Sequence, residues 1–316
     1  MTICTRPHRI TFTPLVEAAQ SRGIDLLPMS YDSLLEAQVL PRATYVLTDF
    51  DRVHPWVLEV LWRLGSKLRG QGARLVNDPR HFLNRVALIR RLKAEGINDF
   101  TCWLPAFGEW PDQFPVFLRT IAAHRGVLSD LCHSRKELNE AMRRSLRDGH
   151  PLSDLVIVQF ASDQVGDIFR RFSAYRIGDK IIMSPTVNQL DWVAKFGSRN
   201  SATDEQYEIE RREMENFPDE DFVRRVFDIA KIEFGRVDYG LWKGRKQVYE
   251  INTNPTFTNP ADAVHPNPTR QASQERAFEL ILEALEALAT VEPGPPLGPF
   301  KLKGRMGQPV RTLMQP

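Results

Sequence analysis

Cysteine is scarce in this chain: Cys4, Cys102 and Cys132 are the only three, widely spaced, odd in number and without a CxxC pair. That excludes a disulfide framework and a cysteine-built zinc site, and fits three small buried hydrophobes in a reducing compartment. Excess charge of one sign is missing too. A net charge of +2 from 42 basic and 40 acidic residues leaves no footprint for nucleic acid or an acidic membrane surface. No apolar run could span a bilayer, and the start, MTICTRPHRITF, lacks the apolar stretch of a signal peptide. A cytoplasmic protein is expected. Internal repeats are absent, as is any convincing Ser/His or Cys/His pair for nucleophilic catalysis. The remaining character, 42% hydrophobic and 26% charged over 316 residues, is that of a globular chain with room for two or three domains.

The most informative stretch present is Phe234 to Pro255, FGRVDYGLWKGRKQVYEINTNP. Val, Tyr and Trp favour extended structure, and Lys243-Gly244-Arg245 supplies turn chemistry. With those three residues as the loop, Trp242 pairs with Lys246, Asp238 faces Glu250 and Arg236 faces Asn252. Alternation at a period of 2 puts all four on one face. A two-residue loop would send Asp238 and Glu250 to opposite faces. Two opposed carboxylates repel. A divalent cation between them removes the conflict, and an Asp/Glu/Asn oxygen set suits magnesium.

Elsewhere, strand and helix patterns alternate over the first hundred residues. Strands are expected around Arg9–Phe12, Tyr45–Thr48 and Ala73–Val76. Helices are expected at Pro14–Arg22 and Pro55–Leu68, and from an Asp78-Pro79 start to Gly96. Such alternation implies a mostly parallel sheet covered by helices. The middle reads as a strand at Pro115–Arg119, a helix opened by the Ser134–Glu137 capping box, a buried strand at Leu155–Gln159, and a hairpin over Ile168–Met183 turned at Gly178-Asp179. Two polar helices follow at Asp204–Asn216 and Asp219–Ile232, with a last helix at Ser273–Ala289. Arg-Arg pairs at 90–91, 143–144, 170–171, 211–212 and 224–225 mostly fall on helices and read as solvated faces. From Glu292 to Pro316 the composition turns to proline, glycine and basic residues, and disorder is expected.

The pair R-x-D (Arg236, Asp238) and E-x-N-x-x-P (Glu250, Asn252, Pro255), in this order of elements, resembles the ATP-grasp superfamily, in particular carboxylate–amine ligases of the RimK-like and D-alanine–D-alanine ligase kinds. The likeness runs from about Asn77 to Pro255, and more weakly through the N-terminal region. It implies an α/β and α+β chain: an ATP-grasp fold of two α+β lobes gripping ATP, preceded by an N-terminal Rossmann-like α/β domain. The expected division is 1–98 for that domain, 99–162 for the small lobe, 163–291 for the lobe with the metal site and 292–316 for the tail.

By the same resemblance, Asp238, Glu250 and Asn252 would hold two magnesium ions on ATP, with Arg236 stabilising charge on the acyl intermediate. Gln159, Phe160 and Ala161 would form the adenine hinge after the apolar strand. Arg176, in Tyr175-Arg176-x-x-x-Lys180, would face the phosphates or the substrate carboxylate, and Lys195 would reach the γ-phosphate. Arg85 and Arg119 stand where the family usually has lysines; arginine keeps the charge but forks two oxygens. This double exchange marks either a coherent subfamily or an altered phosphate site. The glycine-rich loop is thin as well, with only Gly126 between Thr120 and Asp130. His124, Asn254 and His265 are candidates for substrate contact. The implied activity is ATP- and Mg-dependent joining of a small-molecule or peptide carboxylate to an amine, with no nucleic-acid or membrane partner and a homo-oligomer left open. A small-molecule kinase on the same scaffold, or a nucleotide-binding regulatory protein without turnover, are the alternatives.

Overall fold

A computed structural model describes residues 2–5, 10–122, 125–193, 202–289 and 294–299. The N-terminal sheet has four parallel strands, β1 (Thr2–Cys4), β2 (Pro28–Ser30), β3 (Thr44–Leu47) and β4 (Arg74–Val76), in the order β2-β1-β3-β4. The strand expected around Arg9–Phe12 is instead β1. Residues 10–12 form a single 3-10 turn that runs into helix α1 (Thr13–Gln20), because Pro14 in the first turn favours helix entry. Two short elements, β2 and helix α2 (Tyr31–Glu36), carried too little pattern to be expected. Helix α3 (Pro55–Gly70) buries Val57, Val60, Leu61, Leu64 and Leu68 along one stripe, as their spacing dictates.

Asp78 caps only a 3-10 turn over Pro79–His81, accepting from the Arg80 amide. Helix α4 (Arg85–Ala94) starts six residues after Pro79, where Asn84 accepts from the Ala87 amide at 3.0 Å. This makes Arg85 the first helical residue. Leu88 and Leu92 of α4 pack with Ile97 against the later helices and strands. Helix α4, within the stretch 1–98, thus packs against the later lobes. Asn77 is in the left-handed region at φ 64°. Its amide donates to the Leu47 and Phe234 carbonyls and accepts from the Glu233 and Phe234 amides.

The small lobe is an antiparallel sheet of β5 (Cys102–Trp103), β6 (Val116–Thr120) and β7 (Leu155–Gln159), ordered β5-β7-β6 and backed by helix α5 (Arg135–Arg147). The large lobe has β8 (Gln164–Val165), β9 (Ile168–Ile177), β10 (Lys180–Gln189), β11 (Phe234–Trp242) and β12 (Arg245–Asn252). Its strands run β10-β9-β11-β12, with β8 on β9. Helices α6 (Asp204–Glu215), α7 (Glu220–Ala230) and α8 (Pro268–Leu288) complete it.

Part of the tail expected to be disordered is packed. Leu297 is 1% exposed within the N-terminal core and exchanges backbone hydrogen bonds with Leu40 at 2.9 and 2.7 Å. The Gly298 amide also donates to the Gln71 side chain at 2.8 Å, so 294–299 is held despite the polar composition around it. Among the described residues, no helix is long and apolar enough to cross a membrane.

Candidate active site

The β11–β12 hairpin sets the geometry. Its loop has two residues: Trp242 pairs with Arg245, not with Lys246 as a three-residue loop requires. Lys243 and Gly244 both take positive φ, 52° and 72°, the conformation that a tight hairpin turn demands. The Asp163 carboxylate accepts from both turn amides, at 2.8 and 3.1 Å, and supports the unusual lysine. This short loop alone would put Asp238 and Glu250 on opposite faces. A β-bulge repairs the register. Tyr239 pairs with Val248, the next pair is Asp238 with Glu250, and Tyr249 is the extra residue between them. Arg236 then faces Asn252. The expected pairing is present, although it arises from a different loop.

The repulsion between the two carboxylates is met by arginines. Asp238, 2% exposed, takes a bidentate grip from Arg236 at 2.8 and 3.0 Å, and Arg171 approaches at 3.4 Å. Glu250 faces Arg85 at 3.2 Å and Arg119 at 3.9 Å. Burial would push the Glu250 carboxyl up, but the charges of Arg119 and Arg85, with the Arg85 hydrogen bond, bring it down to about 2. Burial and the neighbouring Arg85 lower the Arg119 guanidinium to about 10 against the pull of Glu250. Arg236 moves the other way: burial would lower it, but Asp238 first and Tyr175 second raise it.

Arg85 also donates to the Thr120 and Ile121 carbonyls at 2.8 and 3.3 Å, so its fork bridges the α4 N-terminus, the end of β6 and β12. A lysine, with one nitrogen, could not span these three partners in this way. Among the described residues, Nε of Arg85, Arg119 and Arg170 is buried without a hydrogen-bond partner.

The period of β9 decides which arginines reach this face. Ser173 pairs with Asp238 and Tyr175 with Arg236, so the odd-numbered residues of β9 share the carboxylate face and the even-numbered ones point to helix α7. Arg176 is on the helix side, where it pairs with Asp228 at 2.6 Å and donates to the Gly178 carbonyl. Arg171, dismissed with its neighbour as a solvated pair, sits on the carboxylate face. The signal in the sequence was the parity of 171, but the partner register needed to use it was not available.

Between the lobes lies a cleft of about 1020 Å³, open mouth included, lined at one end by Arg85, Arg119, Arg171, Asp238 and Glu250. The other end is aromatic. Trp192 packs on Phe117 and Phe160 at ring distances of 5.0 and 5.9 Å, and Phe160 meets Phe169 at 6.2 Å. Gln159, Phe160 and Ala161 line this end at the exit of β7. The Gln159 side chain is tied to the Thr101 amide and to Gln113, leaving backbone and ring to face the cleft. The bulged Tyr249 lines it too, its hydroxyl donating to the Ala161 carbonyl at 3.0 Å. It reaches there across Gly240, where a Cβ would lie 2.3 Å from the Tyr249 oxygen. Tyr249, Trp192 and Phe117 were not singled out from sequence; isolated aromatics in strands carry no sign of where they converge.

The remaining candidates fall elsewhere. Asn254, 2% exposed, accepts from the Thr11 hydroxyl at 2.9 Å, and its backbone N–H donates to the Asn252 side-chain oxygen. It joins the metal-motif loop to the N-terminal domain. The His265 ring packs edge-on to Tyr207, and its Nδ1 accepts from the Asn267 amide, away from the cleft. His124 and Lys195 lie outside the described residues.

The donor set fits a hard cation. Two directly opposed carboxylates, and an amide oxygen two residues further along the same face of β12, form an oxygen-only set that suits magnesium completed by water or phosphate. Among the described residues, no three or more His, Cys, Asp or Glu cluster as a self-sufficient metal site. An ion here would draw its remaining ligands from water or phosphate.

No family model matches the sequence, and no curated protein matches it. Solved structures do resemble it. The ATP-grasp ligase PsnB complexed with minimal precursor aligns with a TM-score of 0.52 at 11% identity, over 91% of this chain and 99% of that one. A RimK domain ATP-grasp protein from Sphaerobacter thermophilus aligns at 0.49 and 14%, over 88% and 99%, and D-alanine–D-alanine ligase from Bacillus anthracis at 0.48 and 16%, over 91% and 97%. At such identities the likeness is one of fold.

Proposed function

For a chain with the ATP-grasp fold, we propose an ATP- and magnesium-dependent ligase that joins a carboxylate to an amine. The observation that carries the reading is the opposition of Asp238 and Glu250, held by Arg85, Arg119 and Arg171, at one end of an aromatic-walled cleft, with Arg236 and Asn252 paired next to them on the same face of the hairpin. The base would lie among Phe160, Trp192 and Tyr249, and the triphosphate along Arg85, Arg119 and Arg171, whose planar forks suit phosphate oxygens. Magnesium held by Asp238, Glu250 and Asn252 would supply charge neutralisation on the phosphates.

The substrate carboxylate attacks the γ-phosphorus, ADP leaves and an acylphosphate forms. The amine nitrogen then attacks the acyl carbon, loses a proton and expels phosphate. Arg236, held by Asp238, would stabilise the tetrahedral oxyanion. No nucleophilic side chain is needed.

The test is a nucleotide-dependent melting shift with and without magnesium, followed by ADP release over panels of acids and amines. A protein that binds no nucleotide sinks the proposal. A second reading, nucleotide binding without turnover, is favoured by one observation: Arg85 commits its fork to Thr120, Ile121 and Glu250. Binding without ADP release would select it. A stable phosphorylated product would instead select a kinase.

A further inference from the structure

The chain crosses from the small lobe to the large lobe through residues 159–163, between β7 and β8. Gln159, Phe160, Ala161 and Ser162 line the aromatic end of the cleft. The next residue, Asp163, commits its polar groups to the β11–β12 hairpin instead. Its backbone N–H donates to the Leu241 carbonyl at 2.6 Å, and its carboxylate accepts from the Lys243 and Gly244 amides at 2.8 and 3.1 Å. A third tie is the Tyr249 hydroxyl, which donates to the Ala161 carbonyl at 3.0 Å. The crossing segment is therefore fastened to the hairpin at its middle and at its end.

The chemistry of the turn explains why a carboxylate is used. Two successive N–H groups at positive φ form a concavity that favours an anion. Bonds to a charged acceptor are also roughly twice as strong as neutral ones. The same hairpin carries Asp238 and Glu250. Asp238 precedes Trp242, the last residue before the turn, by about 13 Å at a strand rise of about 3.3 Å per residue. Asp163 thus links the base end of the cleft to the strand pair that builds its phosphate end.

We infer that Asp163 is a positioning residue for the nucleotide: without touching it, the carboxylate sets where Phe160 and Ala161 stand relative to Asp238 and Glu250. The inference rests on the nucleotide-binding reading of the cleft. Asp163→Ala should weaken Mg-ATP binding about tenfold by calorimetric titration. Asp163→Asn, which keeps one acceptor oxygen, should fall between it and the unchanged protein. Lys243→Asn separates positioning from turn support, because Asn-Gly favours such a turn without outside help. Added to Asp163→Ala, it should restore the melting temperature of the ligand-free protein but not the affinity. Restored affinity overturns the proposal, since the role of Asp163 would then end at the turn. Hydrogen exchange of the nucleotide-free protein gives a second reading. After correction for sequence, amides of 159–163 should exchange about tenfold faster in Asp163→Ala and in the double variant. Unchanged exchange overturns the tether whether or not nucleotide binds. A protein that binds no nucleotide is a different result and removes the reading of the cleft, while exchange still decides the tether.

Discussion

Asp238 stands directly opposite Glu250 across a hairpin whose two-residue turn is one residue too short for that register, and the bulge at Tyr249 makes up the difference. One residue thus places both the carboxylate pair and an aromatic wall of the cleft. The bulged position supplies Tyr249 to the Ala161 carbonyl and Glu250 to the arginines.

Deleting Tyr249 should close the bulge and leave Glu250 directly opposite Asp238 in a regular ladder. The deletion is expected to retain the magnesium-dependent part of the nucleotide melting shift while losing the ring that Tyr249 presents to the cleft. Tyr249→Phe keeps the bulge and loses one hydrogen bond, about 0.5–1.5 kcal/mol of stability, so it should retain that part too. Loss of the magnesium increment in the deletion alone would show that the bulge itself sets the facing of Glu250.

The two arginines of β9 give opposite forecasts. Arg171→Ala removes a guanidinium from the carboxylate face and should weaken nucleotide binding by about 1.5–3 kcal/mol, roughly ten- to a hundredfold. Arg176→Ala breaks the pair with the exposed Asp228 and the hydrogen bond to the Gly178 carbonyl, both on the other face, and should leave the nucleotide Kd unchanged. Calorimetric titration of both variants decides; a weakened Arg176→Ala would contradict the face assignment.

Glu250→Gln retains shape and removes charge. The expected outcome is that magnesium no longer adds to the melting shift produced by nucleotide in EDTA, whereas the metal-free shift persists through Arg85 and Arg119. An unchanged magnesium increment would remove Glu250 from the metal set.

Leu297→Ala tests the packed tail. A fully buried leucine truncated to alanine costs about 2–5 kcal/mol, so urea melts should show a loss in that range. A neutral result would mean that 294–299 contributes no packing energy.

Acid sensitivity has a local source at Asp78. Burial would raise its carboxyl, but hydrogen bonds from the Arg80 side chain and backbone and from Arg69 lower it from 3.8 to about 2. The unfolded chain therefore takes up a proton first. The stability this group contributes is fully present above pH about 4 and is lost as pH falls through about 2. The gap in stability between the protein and Asp78→Asn should be constant from pH 7 down to about 4 and shrink below that, which urea melts across this range can measure.

The local elements were largely legible in the sequence: the apolar stripe of α3, the cap at Ser134, the five buried residues of β7 and the turn at Gly178 follow from period and turn chemistry. The residue types of the carboxylate face were legible too, because R-x-D and E-x-N alternate at strand spacing. What local chemistry leaves open is which face each strand presents. The turn at Lys243 depends on Asp163, eighty residues earlier, and no local pattern announces it. The facing of Arg171 and Arg176 depends on the pairing of β9 with β11, a contact between segments some sixty residues apart. Convergence of Trp192, Phe160 and Tyr249 needs both lobes in place. The sequence by itself determined the strands, the helices and the charged side chains they carry. Tertiary structure alone decided which of those side chains meet, because register and bulge are set by long-range hydrogen bonds that no short window contains.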